Sequence, residues 1–182
     1  MKFTPLPLKG AFLIAIEPQT DERGFFARQF CLDTFAAHGL QTRWAEFNTS
    51  FSKICGTLRG LHFQRSATAE VKLVRCLRGA VWDVIVDLRE GSPTFGRWHG
   101  ERLDEVNRAM IYVPNGFAHG FQTLTDGVEM FYFHSASYCA ANEGGLRFDD
   151  PVVAVNWPLP ITMISARDSA LPSFDSLERI RI

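Results

Sequence analysis

The chain has 182 residues, of which 46% are hydrophobic and 21% are charged, and its formal net charge at neutral pH is −1. These values are ordinary for a folded globular protein and argue against an intrinsically disordered chain. A nearly neutral chain without a clustered basic patch also argues against nucleic-acid binding. The length fits one domain with a sizeable core, and we expect a single domain over residues 1–182.

Two features of the sequence bear on the cellular compartment. The N-terminal segment contains one six-residue apolar run, AFLIAI, after two prolines. This run is too short for a signal-peptide core or a membrane span, so we expect a cytoplasmic protein that does not enter a membrane. The cysteines show no C-x-x-C spacing, which argues against a zinc knuckle or a dithiol centre, and we expect buried, reduced thiols. They are Cys31, Cys55, Cys76 and Cys139.

Short β-prone runs, separated by Gly, Pro, Asn and Asp, follow one another along most of the chain. This pattern predicts a sandwich, jelly roll or barrel, and we favour a jelly roll because the strands are numerous and the interior must hold polar groups. The turn Thr125–Gly127 has predicted strands on both sides and indicates a hairpin. The predicted strands are Ala11–Ile16, Trp44–Ser50, Leu58–Gln64, Val71–Leu77, Ala80–Leu88, Trp98–Leu103, Ala109–Val113, Ala118–Thr123 and Val128–His134.

Helix signals are few. Apolar residues at helical spacing and a glycine stop predict a helix over Cys31–Leu40, and a second helix could begin at Phe174. The N-terminal segment is rich in β-formers and proline, so it either adds a strand to a partner's sheet or remains a free tail. The expected fold is therefore all-β with a few short helices.

Four predicted strands carry an ionisable residue among apolar ones. Side chains alternate between the two faces of a strand, and this places each of the four groups on a largely apolar face. Taken singly, Tyr132 is more often a core residue, and Lys72 could point to solvent from an edge strand. Together they predict a shared cavity, because burying each one unpaired costs about several kcal/mol. The shared faces are His62 with Leu58 and Gln64, Lys72 with Val74 and Cys76, Asp83 with Val81 and Ile85, and Tyr132 with Met130 and His134.

Several long motifs give the chain a family resemblance. They are DERGFF at Asp21–Phe26, GTLRGLHFQ at Gly56–Gln64, the region Lys72–Gly96, VPNGFAHGFQTL at Val113–Leu124, and the closing region Asp149–Asp168 with its SARD ending. In this order they resemble the nucleotide-sugar epimerases of the dTDP-4-dehydrorhamnose 3,5-epimerase family over nearly the whole chain. The resemblance implies a cupin-type double-stranded β-helix, a homodimer, an active site inside the barrel, and no metal or organic cofactor.

The resemblance also implies roles for individual residues. His62 matches the catalytic base, Asp168 its carboxylate partner, Lys72 the basic stabiliser and Tyr132 the acid. Arg23 and Arg59 suit the substrate's diphosphate, and Tyr138 matches a tyrosine near the nucleotide. The full set of implied substrate-binding residues is Arg23, Phe26, Arg28, Phe47, Asn48, Arg59, His119, Tyr138 and Glu143.

These residue types suit the chemistry of a nucleotide-linked 4-keto-6-deoxyhexose. The ketone acidifies the neighbouring C–H, so a base removes the proton, an enolate forms, and a proton returned to the other face inverts the carbon without any redox cofactor. Imidazole titrates near neutral pH and suits the base, while a phenol remains protonated there and suits the acid. We expect inversion of C3, C5 or both, with dTDP-4-dehydro-6-deoxy-glucose converted towards dTDP-4-dehydro-L-rhamnose as the leading reaction.

Three positions depart from the family pattern. Arg28 stands where Glu is usual, Phe47 where Gln is usual and Phe133 where Lys is frequent. The N3–H of thymine needs an acceptor and arginine only donates, so the nucleotide could instead be CDP or carry another base.

Two other functions compete with this one. A metal-dependent cupin needs clustered histidines, but the five histidines are scattered and no H-x-H motif exists. A non-catalytic sugar-nucleotide-binding cupin would lack proton exchange, although the presence of all four catalytic residue types argues against it.

Overall fold

The computed structural model describes residues 1–65 and 68–180 and consists mainly of β-strands. The helices are α1 (Leu32–Ala37) and α2 (Ala166–Ser169), with 3-10 turns at Ala140–Asn142 and Phe174–Ser176. In this part of the chain no helix is long and apolar enough to cross a lipid bilayer. The strands are β1 (Lys2–Pro5), β2 (Phe12–Ala15), β3 (Gln19–Asp21), β4 (Gly24–Phe26), β5 (Glu46–Ser52), β6 (Thr57–Gln64), β7 (Lys72–Arg78), β8 (Ala80–Asp87), β9 (Trp98–Asp104), β10 (Met110–Val113), β11 (Phe117–Thr123), β12 (Val128–His134), β13 (Glu143–Gly145) and β14 (Met163–Ile164).

Two six-stranded sheets form the body of the molecule. The first sheet has the order β1-β2-β10-β7-β12-β5; the second has the order β13-β6-β11-β8-β9, with β14 alongside β6. Val74 and Ile111 of the first sheet and Val81 and Ile85 of the second belong to one buried cluster, so the core lies between the facing sheets. The predicted jelly roll is confirmed.

The outer face of the second sheet is also covered. Leu61 and Phe63 of β6 point outward there and pack in a cluster with Trp157 and Leu177 of the C-terminal segment. His62, which lies between them in the sequence, therefore points to the opposite, inner side of the sheet. Over Leu61–Phe63, strand alternation explains how an imidazole can face the interior while both of its neighbours pack on the outer side. The alternation predicted for all of Leu58–Gln64 is interrupted, because the β6–β11 register shifts between Arg59 and His62 and both of these residues line the same cavity.

The turn at Thr125–Gly127 does not close a hairpin. The strand before it, β11, pairs with β6 and β8, and the strand after it, β12, pairs with β5 and β7. The turn thus carries the chain from one sheet to the other. The hairpin prediction is wrong because a local turn signal marks a reversal of the chain but does not specify which strands then pair.

The two ends of the chain also differ from expectation. Strand β1 pairs with β2 of the same chain, with Lys2 opposite Ala15, so the N-terminal segment is not a free tail but the edge strand of the first sheet. The helix expected from Phe174 is limited to the 3-10 turn, after which Ile180 bridges to Arg89. The apolar residues of this segment cover the second sheet rather than form a helix face. Residues 181–182 lie outside the described residues.

The helix predicted over Cys31–Leu40 is present but shorter, as α1, and its Phe35 is fully buried. All four cysteines are unpaired, which agrees with the expected reduced state. Only Cys76 is buried, however, and the other three are half-buried. The expectation of four buried thiols is therefore wrong, because three of them lie in loops at the surface of the sandwich.

Candidate active site

A cavity of about 600 Å³ opens between the two sheets. Strands β5, β7 and β12 of the first sheet and β6 and β11 of the second contribute side chains to it, and the segment around α2 closes one side. All four predicted catalytic residues and three of the predicted binding residues line this cavity. They are His62, Lys72, Tyr132 and Asp168, together with Asn48, Arg59 and His119.

His62 and Asp168 form a hydrogen-bonded pair. The His62 Nε2–H donates to Asp168 Oδ1 at 2.8 Å, and the Gly60 backbone N–H donates to Oδ2 at 3.1 Å. The carboxylate sits in the first turn of α2, where the side chain of Ser165 caps the helix by accepting from the Asp168 N–H at 3.0 Å. Because an ionised carboxylate only accepts, this geometry fixes the proton on Nε2 and leaves Nδ1 as the basic nitrogen.

The pKa of His62 lies below its ordinary value of 6.5. Burial is the main cause, since it disfavours the charged imidazolium, and the positive charges of Lys72 and Arg167 act in the same direction. Asp168 opposes them and raises the pKa. At neutral pH the imidazole is consequently neutral and able to accept a proton.

Tyr132 stands on the facing sheet and shares a hydrogen bond with Ser50 at 2.8 Å between the two hydroxyl oxygens. Burial raises the pKa of Tyr132 well above 10.0, and the Ser50 hydroxyl offsets only part of this effect. The phenol therefore keeps its proton throughout the physiological range. Its partner Ser50 lies on β5, next to β12 in the first sheet.

A second histidine and carboxylate pair lies deeper. Asp83 of β8 is fully buried, and the His119 Nε2–H donates to both of its oxygens, at 2.9 Å and 3.1 Å. Burial raises the pKa of Asp83, while the neighbouring His119 and the charge of Lys72 partly counter it. The prediction that Asp83 faces inward is confirmed, and its cost of burial is met by His119, which also lines the cavity.

Lys72 enters the cavity from the start of β7. Its ammonium lies 3.2 Å from Glu70 Oε1, and His134 Nδ1 lies 2.7 Å from the other oxygen of the same carboxylate. Lys72 and His134 are directly opposite each other in the β7–β12 register. Three different carboxylates thus each hold one of the three histidines that line the cavity.

The histidines do not form a metal cluster with one another. Within residues 1–65 and 68–180 no group of three or more His, Cys, Asp or Glu side chains is arranged to hold a metal ion. Each of the three cavity histidines directs one ring nitrogen at its own carboxylate.

Several predicted binding residues lie outside the cavity. Arg23 and Phe26 are on the separate β3–β4 hairpin, where the Arg23 side chain is 90% exposed and pairs with Asp21. Phe26 and Arg28 line a different cavity of about 250 Å³ near the N-terminus. Phe47 lies on the outer face of the first sheet with its ring 4.9 Å from that of Phe133.

Tyr138 and Glu143 lie at the rim rather than inside. The Tyr138 hydroxyl donates to Glu143 Oε2 at 2.8 Å, and Glu143 also forms an ion pair with Arg167, which does line the cavity. The structure therefore brings these two predicted residues near the site through Arg167.

Among the residues to which the sequence analysis gave no functional role, four polar ones lie beside the predicted site residues. Three of them could have been found from strand alternation, because each lies two residues from a predicted site residue along the same extended segment and so shares its face. The fourth directly precedes Asp168. They are Ser50, Glu70 and His134, and then Arg167.

A family model described as dTDP-4-dehydrorhamnose 3,5-epimerase matches residues 5–176. The chain belongs to this family. The family resemblance predicted from the sequence motifs is thereby confirmed.

Individual relatives agree in length and structure. The dTDP-4-dehydrorhamnose 3,5-epimerase of Sinorhizobium fredii is 42% identical over 178 residues, covering 97% of this chain and 91% of that protein. The dTDP-4-dehydrorhamnose 3-epimerase of Streptomyces niveus is 41% identical and covers 92% of this chain and 81% of its own length. A Legionella pneumophila 3,5-epimerase, solved in complex with dTDP-4-keto-L-rhamnose, matches with a TM-score of 0.93 and 34% identity, over 100% of this chain and 98% of that one.

Proposed function

We propose that this protein is an epimerase that inverts C3 and C5 of a dTDP-linked 4-keto-6-deoxyhexose, converting dTDP-4-dehydro-6-deoxy-glucose towards dTDP-4-dehydro-L-rhamnose. One observation carries the proposal: a neutral imidazole and a protonated phenol face each other from opposite sheets across one cavity. His62 belongs to β6 of the second sheet and Tyr132 to β12 of the first. A base and an acid on opposite walls are what inversion of a carbon between them requires.

In the first step the His62 Nδ1 accepts the proton of the carbon beside the ketone. The C–H electron pair forms the enolate double bond, and the carbonyl electrons move to its oxygen. Asp168 stabilises the imidazolium that results, as the carboxylate does in other His–Asp pairs. Its hydrogen bonds to Nε2 and to the Gly60 N–H support this role.

In the second step Tyr132 donates its proton to the opposite face of the same carbon. The enolate electrons form the new C–H bond and the ketone is restored, so no oxidant or reductant is consumed. The proton on His62 leaves to solvent, and Tyr132 is reprotonated from solvent through its hydroxyl partner Ser50. Between these steps the Lys72 ammonium stabilises the charge on the enolate oxygen.

Hydrogen exchange in heavy water tests the reaction. Incubation of the wild-type protein with dTDP-4-dehydro-6-deoxy-glucose should place deuterium on C3 and C5, as read by NMR. The His62→Ala variant should lose this exchange while still binding dTDP. A wild-type protein that binds dTDP but exchanges no carbon-bound hydrogen would instead be a binding protein without catalysis.

The same spectra distinguish two reactions within the family. The similarity to a 3-epimerase is almost as high as the similarity to a 3,5-epimerase. Deuterium at C3 alone would assign a single-centre epimerase, whereas deuterium at both carbons supports the proposal.

Calorimetry with dTDP, CDP and GDP tests the nucleotide. The CDP alternative rested on Arg28 and Phe47, both of which lie outside the cavity. Because the matching relatives are named for dTDP-linked sugars, we expect a preference for dTDP. EDTA removes bound metal ions, so exchange that persists after dialysis against EDTA would count against a metal-dependent cupin. The hydrogen bond from each cavity histidine to a carboxylate leads us to expect this result.

The proposed active form is a homodimer in which the β3–β4 hairpin of each chain completes the active site of the other. The hairpin and the outer face of the first sheet expose four phenylalanines, Phe25 at 48%, Phe26 at 72%, Phe47 at 56% and Phe51 at 50%. Such apolar exposure is typical of a surface that a second copy covers. Arg23 would then reach the diphosphate from the partner, since it does not line the cavity of its own chain.

Sedimentation and complementation test this assembly. Sedimentation should show a dimer at micromolar concentration. His62→Ala and Arg23→Ala proteins should each be weak epimerases, and mixing them after mild dissociation should restore activity, because one mixed site then contains both wild-type residues. No restoration in a proven mixed dimer would argue that each chain forms a complete site alone.

A further inference from the structure

The ammonium of Lys72 is largely buried and needs a neighbouring group that holds it in place. The Lys72 side chain is only 11% exposed. Burying an ammonium without a partner costs about several kcal/mol, so a fixed counter-charge is needed. Among residues 1–65 and 68–180 the ion pair found for Lys72 is with Glu70, whose own side chain is 7% exposed.

The local sequence explains why Glu70 reaches this position. Glu70 precedes Lys72 by two residues, and the start of β7 is fastened to the end of β12 by hydrogen bonds in both directions. The Val71 N–H donates to Ser135 Oγ at 2.8 Å, and the Ser135 N–H donates to the Val71 carbonyl at 3.0 Å. Glu70 and Lys72 are thus held on the same side of the extended segment that leads into β7.

His134 completes the group from the neighbouring strand. It lies directly opposite Lys72 in the sheet register, and its Nδ1–H donates to Glu70 Oε2 at 2.7 Å. It also lies two residues after Tyr132 on β12, with the two rings 5.9 Å apart, and it lines the same cavity. The carboxylate of Glu70 therefore bridges the ammonium and the imidazole.

The carboxylate is held in its ionised form. Burial by itself would raise the pKa of Glu70, but the hydrogen bond from His134 and the charge of Lys72 outweigh it, so the pKa lies below its ordinary value of 4.5. An ionised Glu70 fixes the position of the Lys72 ammonium and also partly neutralises its positive charge. Because His134 donates a hydrogen bond to the same carboxylate, this neutralisation is weaker and the ammonium's electrostatic effect on the substrate is larger.

We propose that Glu70 and His134 are positioning residues for Lys72, and that the bridge Lys72–Glu70–His134 sets how strongly the cavity stabilises the enolate oxygen. This inference rests on the proposed epimerase function. Neither residue needs to touch the reacting carbon. Their effect passes through the location and effective charge of the Lys72 ammonium, and it should appear in the rate of enolate formation rather than in the binding of the nucleotide.

The test compares Glu70→Gln with a matched control, Glu178→Gln. Glutamine keeps the size of Glu70 but can accept from only one of its two donors. We expect kcat and the rate of deuterium exchange to fall about tenfold to a hundredfold, with KM and dTDP affinity changed less than about threefold. Glu178 forms an exposed ion pair with Arg65 away from the cavity, so Glu178→Gln should retain the wild-type rate.

His134 is tested by a conservative and a non-conservative variant. Asparagine places a donor where Nδ1 lies, whereas leucine removes it. His134→Asn should therefore retain more exchange activity than His134→Leu at equal thermal stability. Circular dichroism of all variants checks that each is folded.

The outcomes separate the two proposals. If the wild type is active and the Glu70→Gln variant keeps the wild-type kcat, or differs from it only in KM, the inference is overturned and the epimerase proposal stands. Equal reductions of kcat in Glu70→Gln and Glu178→Gln would also overturn the inference. A wild type that exchanges no hydrogen would overturn the epimerase function and, with it, the inference that depends on it.

Discussion

His62 and Asp168 are 106 positions apart in the sequence, yet His62 Nε2 lies 2.8 Å from Asp168 Oδ1. Asp168 is joined to β6 a second time by the Gly60 N–H, so its carboxylate accepts from two donors that are two residues apart on one strand. The same carboxylate thus fixes the imidazole's orientation and ties the C-terminal segment to the wall of the cavity.

Replacing Asp168 with asparagine should lower kcat by roughly 10²-fold to 10⁴-fold. An amide oxygen can serve only one of the two donors, and its NH₂ group then faces the other donor, so the imidazole loses its fixed tautomer. Steady-state kinetics with the nucleotide keto-sugar measure the effect. Asp149→Asn, in the exposed pair with Arg147, is the control and should keep the wild-type rate.

The acid limb of the pH profile should lie below pH 6.5. Because the base must be neutral in the free enzyme and burial lowers the pKa of His62, kcat/KM should be constant near neutrality and fall only as the pH drops through that lowered value. Asp168 raises the pKa of His62, so Asp168→Asn should move the limb to still lower pH. A limb that moves upward in this variant would contradict the assignment of His62 as the base.

Tyr132→Phe should separate proton removal from inversion. The phenylalanine variant keeps the His62 base, so deuterium exchange into the starting sugar should survive better than conversion to the inverted product. NMR of one reaction in heavy water reports both quantities. Equal losses of exchange and inversion would argue that Tyr132 does more than donate a proton.

The buried pair of His119 and Asp83 should contribute to stability as well as to the cavity. His119→Leu leaves a fully buried carboxyl without its partner and should lower the free energy of unfolding by about 3 kcal/mol. The double variant His119→Leu/Asp83→Leu should lose less than the sum of the two single variants. Urea denaturation at one protein concentration measures all three, and strict additivity would show that the two side chains do not depend on each other.

Gly60→Ala should be more damaging than an ordinary glycine replacement at positive φ. Gly60 has a φ of +117°, and a Cβ there would lie 2.6 Å from Gly120 Cα and 2.9 Å from the His119 carbonyl oxygen. We expect a loss of about 3 kcal/mol together with reduced activity, since the Gly60 N–H holds Asp168.

The matched control for this variant is Gly127→Ala. Gly127 has a φ of +64° and open space around it, so alanine there should cost only about 1 kcal/mol of backbone strain. Similar losses at both positions would show that the close approach of β6 and β11 is unimportant. Thermal denaturation of the two proteins makes the comparison.

The sequence alone was sufficient to predict most strands, the inward direction of His62, Lys72, Asp83 and Tyr132, and the family. Strand alternation is a local property of the extended backbone, and the long motifs preserve residue identity and spacing, so both can be read without knowing which strands pair. The residues Arg23, Phe26, Arg28 and Phe47 were predicted from the same motifs, but nothing local indicates whether a side chain serves its own chain's cavity or a partner's.

Only the tertiary structure decided which groups meet. It joined Ser50 to Tyr132, His119 to Asp83 and Glu70 to both Lys72 and His134, and it turned the predicted hairpin at Thr125–Gly127 into a crossing between sheets. Strand partners are selected by the burial of apolar faces across the whole chain and not by any short segment. The distances between distant polar groups follow from that choice, and the chemistry of the cavity depends on those distances.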